Sequence, residues 1–175
     1  MKKNNKFSSV FGYLALVSGS IWFGAYVARL LATYKMFEQT EPVLKGFLDS
    51  TNLPAVVEVI SPLISLTSFT YLLMIISFTV FLFTSDFKLK ENGWLFIIAA
   101  IIYITLPFEA ILLINDYKLV VLFIDKQFGS EKVLELITDR QYRFNSFPII
   151  QILSYLSIPY LLIFKPFTLK IKNEN

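Results

Sequence analysis

The chain contains no cysteine and no histidine. Without thiols it forms no disulfide and offers no thiolate nucleophile; without imidazole it has no histidine general base, no histidine-ligated haem and no ordinary zinc site. Charge is scarce as well. Asp, Glu, Lys and Arg make up 17% of the 175 residues, where soluble domains carry about 25%. The formal net charge is only +3, and the basic residues lie at the ends of apolar runs, where membrane topology accounts for them, so no nucleic-acid partner is expected. No phosphate loop, serine-base pair, paired catalytic carboxylates or metal-ligand cluster is visible. No catalytic residue, metal or cofactor is therefore assigned, and an enzyme is the least favoured class.

What the chain has in excess is apolar surface. Hydrophobic residues reach 55%, aromatics 17%, and the mean hydropathy is +0.62. Runs with few or no charges extend from Val10 to Ala28, Val59 to Ser85, Trp94 to Phe108 and Phe147 to Phe164. About 20 helical residues, at roughly 1.5 Å each, cross a hydrocarbon layer of about 30 Å. The expected fold is an all-α integral membrane protein with four transmembrane helices, at residues 9-33, 59-84, 94-115 and 147-165, in a single domain covering 1-175. The start, with Lys2, Lys3 and Lys6 before "VFGYLALV", imitates a signal peptide, but the apolar stretch continues to Ala32 and reads as an uncleaved first span.

The two termini and the 85 to 93 loop hold eight Lys and Arg residues, and the two longer loops hold seven spread over more chain. That density places both termini in the cytoplasm. With no organelle signal apparent, a bacterial inner membrane is the expected location.

Each longer loop carries a candidate short amphipathic surface helix. In the first, residues 41-50, Thr40 is placed to cap and Val43, Leu44, Phe47 and Leu48 share a face. In the second, residues 131-144, Ser130 is the cap and Val133, Leu136, Ile137 and Phe144 form the stripe, which lies on the surface or covers the mouth of the bundle. The stretch "KLVVLFID" just before it suits a helix better than an isolated strand. Ser61-Pro62 reads as the opening of the second span and Ser146-Phe147-Pro148 as that of the fourth, since proline is tolerated in a first helical turn.

Two features bear on function. Ser20, Gly24, Ala28 and Ala32 recur every fourth residue and form a small-residue face for helix packing, inside the monomer or against another copy. Arg29, Glu109 and Gln151 each fall roughly 6 to 8 Å inside the outer end of a span, with Ser65, Thr67 and Ser68 of span two near that level. A charge in hydrocarbon costs about 2.5 to 3.5 kcal/mol at midplane on insertion scales, so an arginine and a glutamate at equal depth are expected to pair. Arg29 and Glu109 are thus predicted to form an intramembrane clamp, completed by Gln151 and Tyr155 or by Ser65 and Ser68. Pro107 is expected to free the Tyr103 carbonyl and bend the helix before Glu109. Asp116 reads as a surface residue, which leaves Glu109 without a second buried carboxylate.

Two functional readings follow. One is a non-enzymatic membrane component that binds the bilayer lipid, a membrane-protein partner or a second copy. The other is a small transporter or ligand-binding protein whose Arg29, Glu109 and Gln151 line an outward-facing polar pocket.

Overall fold

In the computed structural model, five helices follow one another: α1 (Lys6–Tyr34), α2 (Leu53–Thr84), α3 (Gly93–Ile124), α4 (Ser130–Tyr142) and α5 (Phe147–Phe164). The structure describes residues 6–38, 45, 46, 48, 49, 51–124, 130–144 and 146–169. Four of the helices, α1, α2, α3 and α5, are long and apolar enough to span a membrane, as the hydropathy runs imply. Within their most apolar windows only 22 to 33% of residues are buried against protein. Large side chains such as Val59, Phe69, Phe83 and Ile163 point outward instead. That apolar exterior requires lipid around it.

Helix α1 runs along α2 in the most extensive helix pair of the bundle. Glycine makes the approach possible. A Cβ added at Gly12 would sit 3.0 Å from the Phe81 ring, and one at Gly19 would sit 3.0 Å from the Met74 sulfur. The buried face of α1 is Ser8, Ala15, Ser18, Trp22, Ala25, Tyr26 and Arg29, which recur with helical period and so form one stripe. The small-residue face is therefore not the packing seam inside the monomer: Ser20, Gly24 and Ala28 are exposed, Ala32 is half-buried, and nothing lies within 4 Å of a Cβ built on Gly24, which leaves contact with another copy as the other expected use of this face. A four-residue spacing repeats on several faces of one helix, and the deeper aromatic and polar residues determine which face turns inward.

Trp22 anchors the centre of the bundle. Its ring stands 4.7 Å from Tyr155, 5.2 Å from Tyr71 and 5.2 Å from Tyr26, joining α1, α2 and α5 through tilted aromatic contacts. Such pairs contribute about 0.5 to 1.5 kcal/mol each beyond the area they bury.

Two helix boundaries differ from expectation. Helix α2 begins at Leu53, with proline in its first turn, so Pro62 lies inside the helix and does not open it. Its start is held by Asp49, whose carboxylate accepts the Thr51 and Asn52 amides at 2.8 and 2.9 Å. Helix α3 continues to Ile124, so most of "KLVVLFID" is helical. The third span thereby projects beyond residue 115, and Asp116 is held inside the fold. For the expected 41-50 helix, Lys45, Gly46, Leu48 and Asp49 are in turn or irregular structure, and the remaining positions lie outside the described residues. Pro148 does occupy the first turn of α5.

Helix α4 is the second expected surface helix, Ser130–Tyr142. Its Val133, Leu136 and Ile137 are buried in a cluster with Leu119 of α3, Val57 and Ile64 of α2, and Met36 and Phe37 after α1. It therefore caps one end of the bundle. At the other end the chain after α5 turns back on the start of α3: Gly93 N–H donates to the Phe167 carbonyl at 3.1 Å, and Leu169 N–H to Glu91 at 2.9 Å. A Cβ on Gly93 would lie 2.7 Å from the Phe167 Cβ, so only glycine permits this crossing.

Candidate functional site

Polar side chains converge where α4 meets the spanning helices. On α1, Tyr26 and Arg29 are one turn apart on the buried stripe, below Thr33, whose hydroxyl donates to the Arg29 carbonyl at 2.8 Å. On α3, Glu109, Leu112 and Asp116 follow at intervals of three and four and face the same way, and all three are nearly inaccessible. On α4, Arg140 falls seven residues after Val133 and so continues the stripe that packs on α3.

Arg29 and Asp116 form a two-pronged ion pair. Arg29 Nη1 donates to Asp116 Oδ2 at 2.7 Å and Nη2 donates to Oδ1, with both residues buried. Arg29 Nη1 also lies 3.4 Å from the Thr67 hydroxyl of α2. Arg140 closes the arrangement from α4, its Nε standing 3.1 Å from Asp116 Oδ1 and its Nη2 4.0 Å from Glu109 Oε2. Two guanidinium groups therefore face two carboxylates, and the formal charges cancel. A neighbouring branch pins the same helices: Asn115 of α3 donates to Asp139 of α4, which also accepts from Arg143 Nε at 3.0 and 3.1 Å. Hydrogen bonding from Arg143 outweighs the opposing effect of burial and, with a further hydrogen bond from Asn115, holds the Asp139 carboxyl below the ordinary carboxylate range.

The predicted Arg29 to Glu109 clamp needs correcting in its partner. Arg29 bonds Asp116, and Glu109 is approached instead by Arg140. Because α3 extends and α4 covers it, Asp116 is a buried residue 2% exposed, and Glu109 does have a second buried carboxylate on its own helix. Gln151 is fully buried and accepts from the Tyr26 hydroxyl at 3.0 Å, so α5 is tied to α1 at this level. Tyr155 is also brought in, its hydroxyl 3.2 Å from that of Thr105. Of the span-two hydroxyls it is Thr67 that reaches the arginine; Ser65 is exposed and Ser68 bonds back to the Ile64 carbonyl of its own helix. Pro107 lies inside α3, half a turn before Glu109. Arg140, Asn115 and Asp139 were not anticipated, although Arg140 carried a legible signal: a charged residue in register with an apolar stripe.

Beside the Arg29–Asp116 pair is a cavity of about 50 Å³, lined by Tyr26, Arg29, Asn115, Asp116 and Arg140 together with apolar residues such as Leu112 and Leu136. That volume admits a few water molecules. It is well short of the roughly 300 to 1,000 Å³ of small-molecule pockets. Not every polar atom here is satisfied: among the described residues Glu109 Oε1, Gln151 Nε2 and Arg140 Nη1 are buried without a hydrogen-bond partner. Three grouped acids or other metal-ligating side chains do not occur among the described residues. Comparison of the chain with protein-family models, with curated proteins and with solved structures finds no match, which leaves this geometry as the ground for a functional reading.

Proposed function

We propose that the chain is a non-enzymatic component of a membrane assembly, a small polytopic protein that binds a partner or lipid, and that its charge cluster is a latch. In this reading Arg140 docks α4 over one end of the bundle by completing a neutral network with Arg29, Asp116 and Glu109. The supporting observation is the closure itself. Asp116 is occupied by donors from two helices, and the space left beside it is of water size. Neither carboxylate has the room or the free nucleophile that catalysis at this point would need. Buried pairs of this kind are weak contributors to net stability but strong selectors of which helix faces meet, because every mismatched arrangement leaves a charge unpaired.

The test is Arg140→Gln in the full chain in native-like bilayers. Hydrogen exchange across 130–142 should rise by at least tenfold while the spanning helices stay protected, and crosslinked partner recovery should fall with it. Unchanged protection of α4 refutes the latch.

The unpartnered atoms favour a second reading, in which Arg29, Glu109 and Gln151 serve a small transporter or ligand-binding protein with an outward-facing pocket. Intramembrane ionisable groups with free capacity are the usual stations of proton and ion paths. Vesicles loaded with a pH dye distinguish the two: proton flux that Glu109→Gln abolishes without unfolding the protein supports this reading, and no flux above empty vesicles rejects its proton-coupled form. Under both readings we place the chain in a bacterial inner membrane with both termini cytoplasmic and α4 outside.

A further inference from the structure

At the end of the bundle opposite α4, the helices do not close. Helix α5 is only 18 residues long and meets α1 in few places, and small residues of α1, Ala15 and Ser20, line the gap between them. The result is a cleft of about 450 Å³, walled on one side by Phe78 and Phe81 of α2 and on the other by Leu156 and Leu162 of α5. Its lining is almost wholly apolar, and its rim residues Tyr13, Leu16, Ser20 and Leu156 are exposed, so it opens toward the lipid. An empty apolar cleft of this size inside a bilayer does not stay empty, since acyl chains surround it.

The charge beside the cleft says which lipid. Trp94 lines the cleft, is 5% exposed, and its indole N–H is buried without an acceptor. Directly over its ring, 5.6 Å from the centroid, stands the exposed ammonium of Lys165, the residue that ends α5. An exposed cation at the edge of an apolar cleft matches an anion attached to a hydrocarbon chain. The surroundings agree in sign. Lys6, Lys88, Lys90 and Lys165 occupy this end against Asp86 and Glu91, and Glu91 is already paired with Lys88.

We propose that this cleft binds one acyl chain of an anionic phospholipid, with the lipid phosphate held by Lys165 at the edge of the cleft. The site rests on the reading of the chain as a lipid- or partner-binding membrane component, but not on the latch, which lies at the other end. Failure of the Arg140→Gln test therefore leaves this proposal standing, and the converse holds.

Tryptophan fluorescence tests it, because the chain has only Trp22 and Trp94, and Trp22 lies in the aromatic core outside the cleft lining. The full-length protein is reconstituted in vesicles containing a small fraction of phosphatidylglycerol or phosphatidylcholine brominated on the acyl chain. Brominated phosphatidylglycerol should quench at about fivefold lower mole fraction than brominated phosphatidylcholine, the factor expected of one basic side chain at an anionic headgroup. Lys165→Gln should erase that preference. Ser20→Phe, at an exposed position on the cleft rim, should weaken quenching by both lipids, and Trp94→Phe should remove the quenchable component and leave the Trp22 emission. Equal quenching by the two lipids, an undiminished preference in Lys165→Gln, or quenching that survives Trp94→Phe overturns the proposal. So does crosslinking of two copies through the cleft with lipid excluded.

Discussion

Asp116→Asn is the substitution that most directly probes the charge cluster. The wild-type carboxylate accepts two hydrogen bonds from Arg29 and faces Arg140 Nε at 3.1 Å. Asparagine keeps one acceptor oxygen and turns the other position into an amide donor aimed at a guanidinium. The four charges of Arg29, Arg140, Asp116 and Glu109 cancel in the wild type, and the variant leaves one buried positive charge unmatched. Removing one partner of a buried pair costs about 3 to 5 kcal/mol. Against a total stability of about 5 to 15 kcal/mol this is a large loss, and it corresponds to a fall in Tm on the order of 10 °C for a chain of this size. Glu109→Gln should cost less, about 1 kcal/mol, because Glu109 approaches Arg140 only at 4.0 Å. Replacing both partners, Arg29→Met with Asp116→Leu, should cost less than the sum of the single changes, with a coupling energy of about 1 to 3 kcal/mol. Thermal unfolding of the purified protein in one detergent, followed by circular dichroism, measures these variants and the two single changes of the double. A Glu109→Gln variant as damaged as Asp116→Asn, or a double variant with purely additive loss, would refute the assignment of Asp116 as the partner of Arg29.

Helix packing gives a paired prediction. Gly12→Leu should destabilise by about 1 to 3 kcal/mol, because its Cβ already falls 3.0 Å from the Phe81 ring, whereas Gly24→Leu, with open space around it, should stay within about 0.5 kcal/mol of wild type by the same melts. Acid dependence follows from Asp139. Its folded carboxyl titrates below the ordinary value of 3.8, so its contribution is complete above that value and is lost as pH falls through the folded one. Protection of α4 against hydrogen exchange should accordingly hold from pH 7 to about pH 5 and drop only below about pH 4, and Asp139→Asn should show the weakened protection already at neutral pH. Topology is open to a clean check because the chain has no cysteine of its own. Single cysteines at Lys88 and Lys132 should react with an impermeant maleimide from opposite sides of the membrane, Lys132→Cys from outside; labelling from the same side is incompatible with an odd number of crossings between them.

The four spanning helices were legible in the linear chain because each spanning segment must satisfy its own backbone hydrogen bonds within lipid, so length and hydropathy alone identify it. The stripe of α4 was legible for a related reason, its apolar residues recurring with helical period, and Arg140 sat in that register unremarked. The level of the polar site was also visible: Arg29, Glu109 and Gln151 are all buried in it, as their depth along three separate helices implied.

Which charge meets which was decided elsewhere. Depth counting treats every span as ending at the membrane surface, and α3 instead runs on to Ile124 beneath a covering helix, which carries Asp116 from an apparent boundary into the interior. The rotation of α1 was likewise undetermined locally, since Ser20, Gly24, Ala28 and Ala32 and the true seam at Gly12 and Gly19 are both acceptable faces of one helix. Only the fit of Trp22 among Tyr26, Tyr71 and Tyr155, and of Arg29 against Asp116, selects between them. The sequence by itself determined the helices and their apolar period, because those follow from interactions within a few turns of one segment. The ion-pair partners, the buried face of α1 and the open cleft beneath Trp94 depend on how separate helices rotate and extend against each other, and that energy exists only once they are packed.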